Sequence, residues 1–178
     1  MADKILPLRF FKAWIRNANK IKLDLCSNWN NLTSYTSLIQ NNKECILHNI
    51  AEDFKLKYFR EYYSLDAVFY NDDDKVPNLN PNWVWLQNIQ IAFEHEHYIK
   101  NTYQEISHLS ITNCQLRVLV TYPNDDENKF LDSYDQIIRA NKTLDANESF
   151  LVIFGYKGEN NVTWDGWLYA NDQWNKLE

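Results

Sequence analysis

Ser149-Phe-Leu-Val-Ile-Phe-Gly-Tyr156 is an almost unbroken apolar run. A strand with one wet face alternates polar and apolar residues. A run without alternation marks a strand buried on both faces, so other elements must cover its sheet from two sides. The rest of the chain supplies them. Phe10, Phe11, Trp14, Ile15, Ala18 and Ile21 recur at helical spacing over residues 7–25, and Pro7 suits a first turn. A second helix is predicted from Thr33 or Ser34 to about Phe54, with Glu44 in its middle. Strands are predicted over 62–70, over 83–97 with a bulge near Gln87 and Asn88, over 116–122 and over 163–170. Helices are predicted over 100–111 and 126–142, and residues 71–82 are rich in turn formers. The order α-α-β-β-α-β-α-β-β implies an α/β (α+β) fold with a central mixed sheet flanked by helices.

With 178 residues and 45% hydrophobic content, the chain reads as one domain over 1–178. No apolar run approaches the roughly 20 residues that cross a bilayer. Charge interrupts the N-terminal segment where a signal peptide needs an apolar core. Cys26, Cys45 and Cys114 are scattered and odd in number, which reads as reduced thiols in a cytoplasmic protein. A net charge of −6 argues against a generic nucleic-acid binder but is compatible with a local basic cleft. Lys55, Lys57, Arg60, Arg117 and Arg139 are the candidates for phosphate contacts. Only 3 glycines are present, which excludes a P-loop or a dinucleotide fingerprint. No Ser/His/Asp or Cys/His arrangement is identifiable by spacing.

In Ile89-Gln-Ile-Ala-Phe-Glu-His-Glu-His97, strand alternation puts Glu94 and Glu96 on one face and Ile89, Ile91 and Phe93 on the other. Two carboxylates on one face repel, so they need a cation, a proton or access to water. Asp66, in the preceding strand, adds a third acid. Hard oxygen donors of this kind suit Mg2+ or Mn2+, which polarise a phosphoryl oxygen and lower the pKa of a bound water. The bland alternative is a pair of solvated glutamates at a strand end. His95 and His97 share the face of Phe93, so they join the acids only if a strand-end bulge turns His97 round. Asp72-Asp73-Asp74 lacks the glycine and distant glutamate of a calcium loop and reads as a solvated turn. Trp164, Trp167, Tyr169 and Trp174 fit core closure better than a base-stacking platform.

A helix with Glu44, a strand with Asp66, a strand with Glu94-x-Glu96, a helix and a strand over 116–122 follow one another. This order resembles the PD-(D/E)xK restriction-endonuclease-like superfamily over about residues 34–123. Phe93-Glu-His-Glu-His97, followed by Gln115-Leu-Arg-Val-Leu-Val-Thr-Tyr-Pro123, is similar to bacterial members. The family's core is α-β-β-β-α-β, with acids on the second and third strands; here the first core strand is not separately visible. The resemblance implies a restriction-endonuclease-like fold and a Mg2+- or Mn2+-dependent nuclease that hydrolyses phosphodiester bonds in DNA. It implies Asp66, Glu94 and Glu96 as metal ligands, with Glu96 also catalytic where most members carry lysine. Glu44 would be the helical glutamate that completes the site, with Glu52 and Glu61 as rivals. His97, His108, Gln115 and Arg117 fall on the substrate side. A glutamate at the lysine position also occurs in members that lack activity. Two alternatives stay open: an inactive nuclease-fold binding or regulatory module, and an immunity- or antitoxin-like protein whose acidic surface meets a basic partner.

Overall fold

The computed structural model describes residues 5–41, 43–80, 82–124, 126–141 and 149–178. Seven strands lie in chain order across one sheet: β1 (Lys57–Tyr62), β2 (Leu65–Tyr70), β3 (Ile89–Glu96), β4 (Cys114–Thr121), β5 (Ser149–Lys157), β6 (Val162–Ala170) and β7 (Gln173–Lys176). β1 to β3 form an antiparallel meander, β3 to β5 are parallel, and β5 to β7 are antiparallel. Each parallel step needs a crossover. These are α5 (Thr102–Ile111) and α6 (Glu127–Asn141). Both steps move across the sheet in the same direction, so right-handed crossovers place both helices on one face. There α5 and α6 pack against each other. The opposite face is covered by the earlier helices α1 (Ile5–Lys20), α2 (Lys22–Ser27), α3 (Leu32–Thr36) and α4 (Ile46–Phe54).

Strand alternation divides the interior in two. Ala67, Phe69, Ile91, Phe93, Val118 and Ile153 pack with Phe10, Trp14 and Ile50 on the α1–α4 face. Val68, Ala92, Leu119, Phe150 and Val152 pack with Ile106, Leu109, Leu131 and Ile138 beneath α5 and α6. Each Val, Leu, Ile or Phe among them contributes roughly 1.5–3 kcal/mol by leaving water. The apolar run of β5 is buried from Ser149 to Gly155, as a strand roofed on both sides must be.

Several elements differ from the sequence prediction. The strand expected over 62–70 is a hairpin, β1 and β2, which reverses at Tyr63 in the left-handed region (φ 54°). The helix expected from Thr33 to Phe54 is interrupted. Asn31 caps α3 by accepting the Ser34 N–H, a π-helical turn follows over Ser37–Asn41, and α4 begins only after Cys45. Asn41, Lys43 and Glu44 are exposed and offer nothing to bury, so the helix has no packing reason to continue through them. The strand expected over 83–97 starts at Ile89. The preceding loop is tied to the sheet by a bridge between Lys75 and Leu86 and by buried Asp74, which accepts from the Asn71 N–H and the Gln90 amide. β7 was not predicted. Lys142 and Pro81, within the predicted helix and turn, lie outside the described residues. No helix among the described residues is long and apolar enough to cross a membrane.

Gly155 sits where Trp164 and the Tyr122 ring close over β5; a Cβ there would lie 2.6 Å from Trp164 and 2.7 Å from Tyr122. Neither ring has room to retreat in a packed interior. Gly155→Ala is expected to lower unfolding stability by about 1–3 kcal/mol, read from the urea midpoint.

Candidate functional site

Antiparallel register pairs Ala67 with Phe93, and continuing it by one residue sets Asp66 opposite Glu94. Glu94 lies on the α5 side of the sheet, and Asp66 sits beside it, within hydrogen-bonding reach of Gln40. Two backbone contacts lock the pair. The Asp66 N–H donates to Glu94 Oε2 at 3.3 Å, and the His95 N–H donates to Asp66 Oδ2 at 2.8 Å. Glu94 is only 3% exposed, and its other oxygen, Oε1, is buried with no donor. Desolvation, then the charges of Asp66 and Glu105, push its pKa up to about 9. Asp66 is also raised by desolvation, against the lowering effect of the His95 N–H and the Gln40 side chain.

The crossover helix faces these acids. Glu105 and His108 stand one turn apart on α5, on the same helical face. One ligand atom each from Glu94, Glu105 and His108 lies within 4.8 Å of the others. His108 Nδ1 is 3.7 Å from Glu105 Oε2, and no hydrogen bond satisfies it. Glu105 is raised too, mainly by desolvation, with His108 acting in the opposite sense. The Glu94 and Glu105 carboxyls thus stand within hydrogen-bonding reach of each other, an arrangement that calls for a proton or a cation between them. Sequence reasoning named His108 but missed Glu105. Its trace is the spacing Glu105-Ile-Ser-His108, which aligns a carboxylate and an imidazole on one helix face. It also missed Thr121, which pairs with Glu96 in register at the carboxyl end of β4 and keeps a buried hydroxyl without a partner.

The remaining residues singled out from sequence are dispersed. Glu96 shares Glu94's face, but its oxygens accept from the Tyr98 N–H at 2.7 Å and the Asn101 amide at 3.4 Å, so it caps the turn into α5. Glu44 is not within a helix. It is exposed in the turn before α4, and the residue this segment brings to Asp66 is Gln40. Gln115 is exposed at the start of β4, beside Gln90 in register and four residues along the strand from the level of Glu94. Arg117 is not on a substrate side: it is buried and donates to the carbonyls of Leu109, Thr112 and Cys114, closing the C-terminal end of α5. His95 and His97 lie on the opposite face from Glu94, as alternation requires. His95 Nε2 is 2.9 Å from the Tyr122 hydroxyl, and desolvation pulls its pKa down, keeping the ring neutral. His97 is boxed by Trp29, Tyr35, Tyr98 and Tyr122. Trp164 and Tyr169 are buried, which fits core closure. Three of the proposed phosphate contacts are already engaged: Lys57 with Asp72, Arg60 with Glu61 and Arg139 with Asp135.

Two outcomes follow from these environments. In metal-free protein, folded Glu94 holds its proton up to about pH 9, whereas the unfolded chain releases it near 4.5. The folded state binds the extra proton between those values, so this group's stabilisation is complete below the unfolded pKa and is lost as pH rises toward 9. Glu94→Gln cannot ionise. Its melting temperature is expected to exceed the wild type's by a margin that widens from about pH 5 to about pH 9. Arg117→Ala strands buried carbonyls and leaves a void, and urea titration is expected to show a loss of about 3 kcal/mol or more. Compared with known proteins, the chain matches no family model and no curated sequence.

Proposed function

We propose that this chain is a divalent-cation-dependent phosphodiesterase acting on DNA, built on a restriction-endonuclease-like core. The run α4-β1-β2-β3-α5-β4 supplies the family's α-β-β-β-α-β order, with Asp66 on the second of these strands and Glu94 and Glu96 on the third. The observation that carries the reading is Glu94 Oε1, buried without a donor between Asp66 and Glu105. An ionised carboxylate in that position costs several kcal/mol unless a positive species joins it. Glu94 and Glu96 also sit at the carboxyl end of β3, which runs parallel to β4, the end where open α/β sheets take their ligands.

Asp66 and Glu94 are the residues that would hold the cation. A divalent cation there supplies Lewis acidity toward a phosphoryl oxygen and lowers the pKa of water. The chain's own contribution is placement. The His95 N–H and Gln40 fix the Asp66 carboxyl, the Asp66 N–H fixes one oxygen of Glu94, and Glu96 holds the turn that aims α5. The Thr121 hydroxyl is a further hydrogen-bonding group at the strand ends. The hairpin that delivers Asp66 carries Tyr63, 77% exposed. With Phe59, Tyr62, Trp83 and Trp85 it lines a groove of about 470 Å3. Open ring faces of this kind stack on bases.

One observation favours the second reading, an inactive module that binds a protein partner. Among the described residues, no lysine or arginine pairs with Asp66, Glu94 or Glu105. The two readings part on one assay. Purified protein is incubated with plasmid and single-stranded DNA in Mg2+ or Mn2+, with and without chelator. Metal-dependent cleavage is expected, falling at least about 100-fold in Asp66→Asn and Glu94→Gln, the scale of losing one charge-stabilising group. DNA left intact under both metals by the folded wild type refutes the hydrolase and leaves the binding module.

A further inference from the structure

Glu94, Glu105 and His108 form a donor set that neither the acid pattern of β2 and β3 nor the resemblance to nucleases supplies. We propose that these three residues bind a divalent first-row transition ion of the Mn2+ type in preference to Mg2+. The inference extends the phosphodiesterase reading, since it shares Glu94 with that site, but it concerns which ion is held and by which helix.

The geometry is specific. The three ligand atoms lie within 4.8 Å of one another, close enough for one ion to touch all three after small side-chain adjustments. Glu94 is 3% exposed, faces Glu105 and His108, and has one oxygen that no donor reaches. His108 Nδ1 lies 3.7 Å from Glu105 Oε2 with no hydrogen bond of its own. Glu105 and His108 keep 20% and 33% side-chain exposure, so the cluster is in contact with solvent on the helix side. The donors come from a rigid strand and one helix face, which suits a preorganised site.

Chemistry then selects the ion. Mg2+ takes oxygen donors and gives up its waters reluctantly, so an imidazole in the donor set is poorly matched to it. Imidazole suits the first-row transition ions, which also accept carboxylates. Two carboxylates and one histidine place this site in that second group. The two glutamates together carry the charge that one divalent ion neutralises, which removes the acceptor-against-acceptor contact in the interior. The rival explanation for the same contact is a proton shared between Glu94 and Glu105, with no ion involved.

Titration of the full-length protein decides between them. Mn2+ binding is followed by the loss of its free-ion paramagnetic resonance signal, and Mg2+ binding by calorimetry, at one pH and salt. The wild type is expected to bind Mn2+ at least about tenfold more tightly than Mg2+. His108→Asn and Glu105→Gln are each expected to weaken Mn2+ by at least about tenfold, the scale on which disturbed metal sites lose affinity. His108→Asn should leave Mg2+ binding unchanged. Both residues are partly exposed, and circular dichroism with a thermal melt confirms that the variants are folded. Mn2+ affinity within about twofold of wild type in both variants overturns the proposal, as does equal affinity for Mg2+ and Mn2+. The outcomes separate from those of the cleavage assay. Mn2+ binding that depends on His108 without any DNA cleavage sinks the hydrolase and keeps this site. Mg2+-supported cleavage indifferent to His108 does the reverse.

Discussion

Burial of the parallel strands β3, β4 and β5 on both faces is the constraint from which the rest of the architecture follows. Parallel neighbours cannot be joined by a tight turn, so each step carries a helix, and handedness sends both helices to one side. That geometry lowers α5 onto β3 and β4, where Ile106 and Leu109 enter the core. Once those two residues are buried, the helical repeat turns Glu105 and His108 toward Glu94. The acidic cluster is therefore a consequence of core packing. The apolar contacts of α5 hold the carboxyls together, and the cost of burying them is offset by the hydrophobic interior.

The two faces of β3 carry opposite chemistry at its end. On the α5 side Glu94, with Asp66 beside it, sits in an environment that disfavours charge. On the other side, His95 and His97 are packed among Tyr35, Tyr122 and Trp29, with His95 neutral and bonded to a phenol. The faces communicate through the backbone: the amide of His95 is the donor that fixes the Asp66 carboxyl. The close approach of Trp164 and Tyr122 over Gly155 thus supports the aromatic wall behind the acids. On the α5 side, Arg117 closes the C-terminal end of that helix.

Much of this was legible from residue order. Period-two alternation in Ile89 to His97 separates the glutamates from the histidines, and the structure keeps them apart. The apolar run of β5 announces a strand covered on both sides. Other features escape local reading for physical reasons. The β1–β2 hairpin turns at Tyr63 and Ser64 with no glycine to mark it, because Tyr63 itself takes a left-handed conformation. The interrupted helix before β1 hides behind continuous helical periodicity, since the break is set by which residues find something to bury. Arg117 looks like a phosphate ligand until the chain folds back and offers it three carbonyls.

By itself the sequence determined a mixed sheet flanked by helices and the sharing of one strand face by Glu94 and Glu96, away from His95 and His97. These depend on the two-residue period of strands and on burial preference, both local properties. Only the tertiary structure decided which donors converge. Glu96 is spent on a backbone amide, Gln40 comes to Asp66 in place of Glu44, and Glu105 with His108 completes the set around Glu94. Convergence across a crossover is fixed by the handedness and packing of a helix against a sheet, which no spacing along the chain encodes.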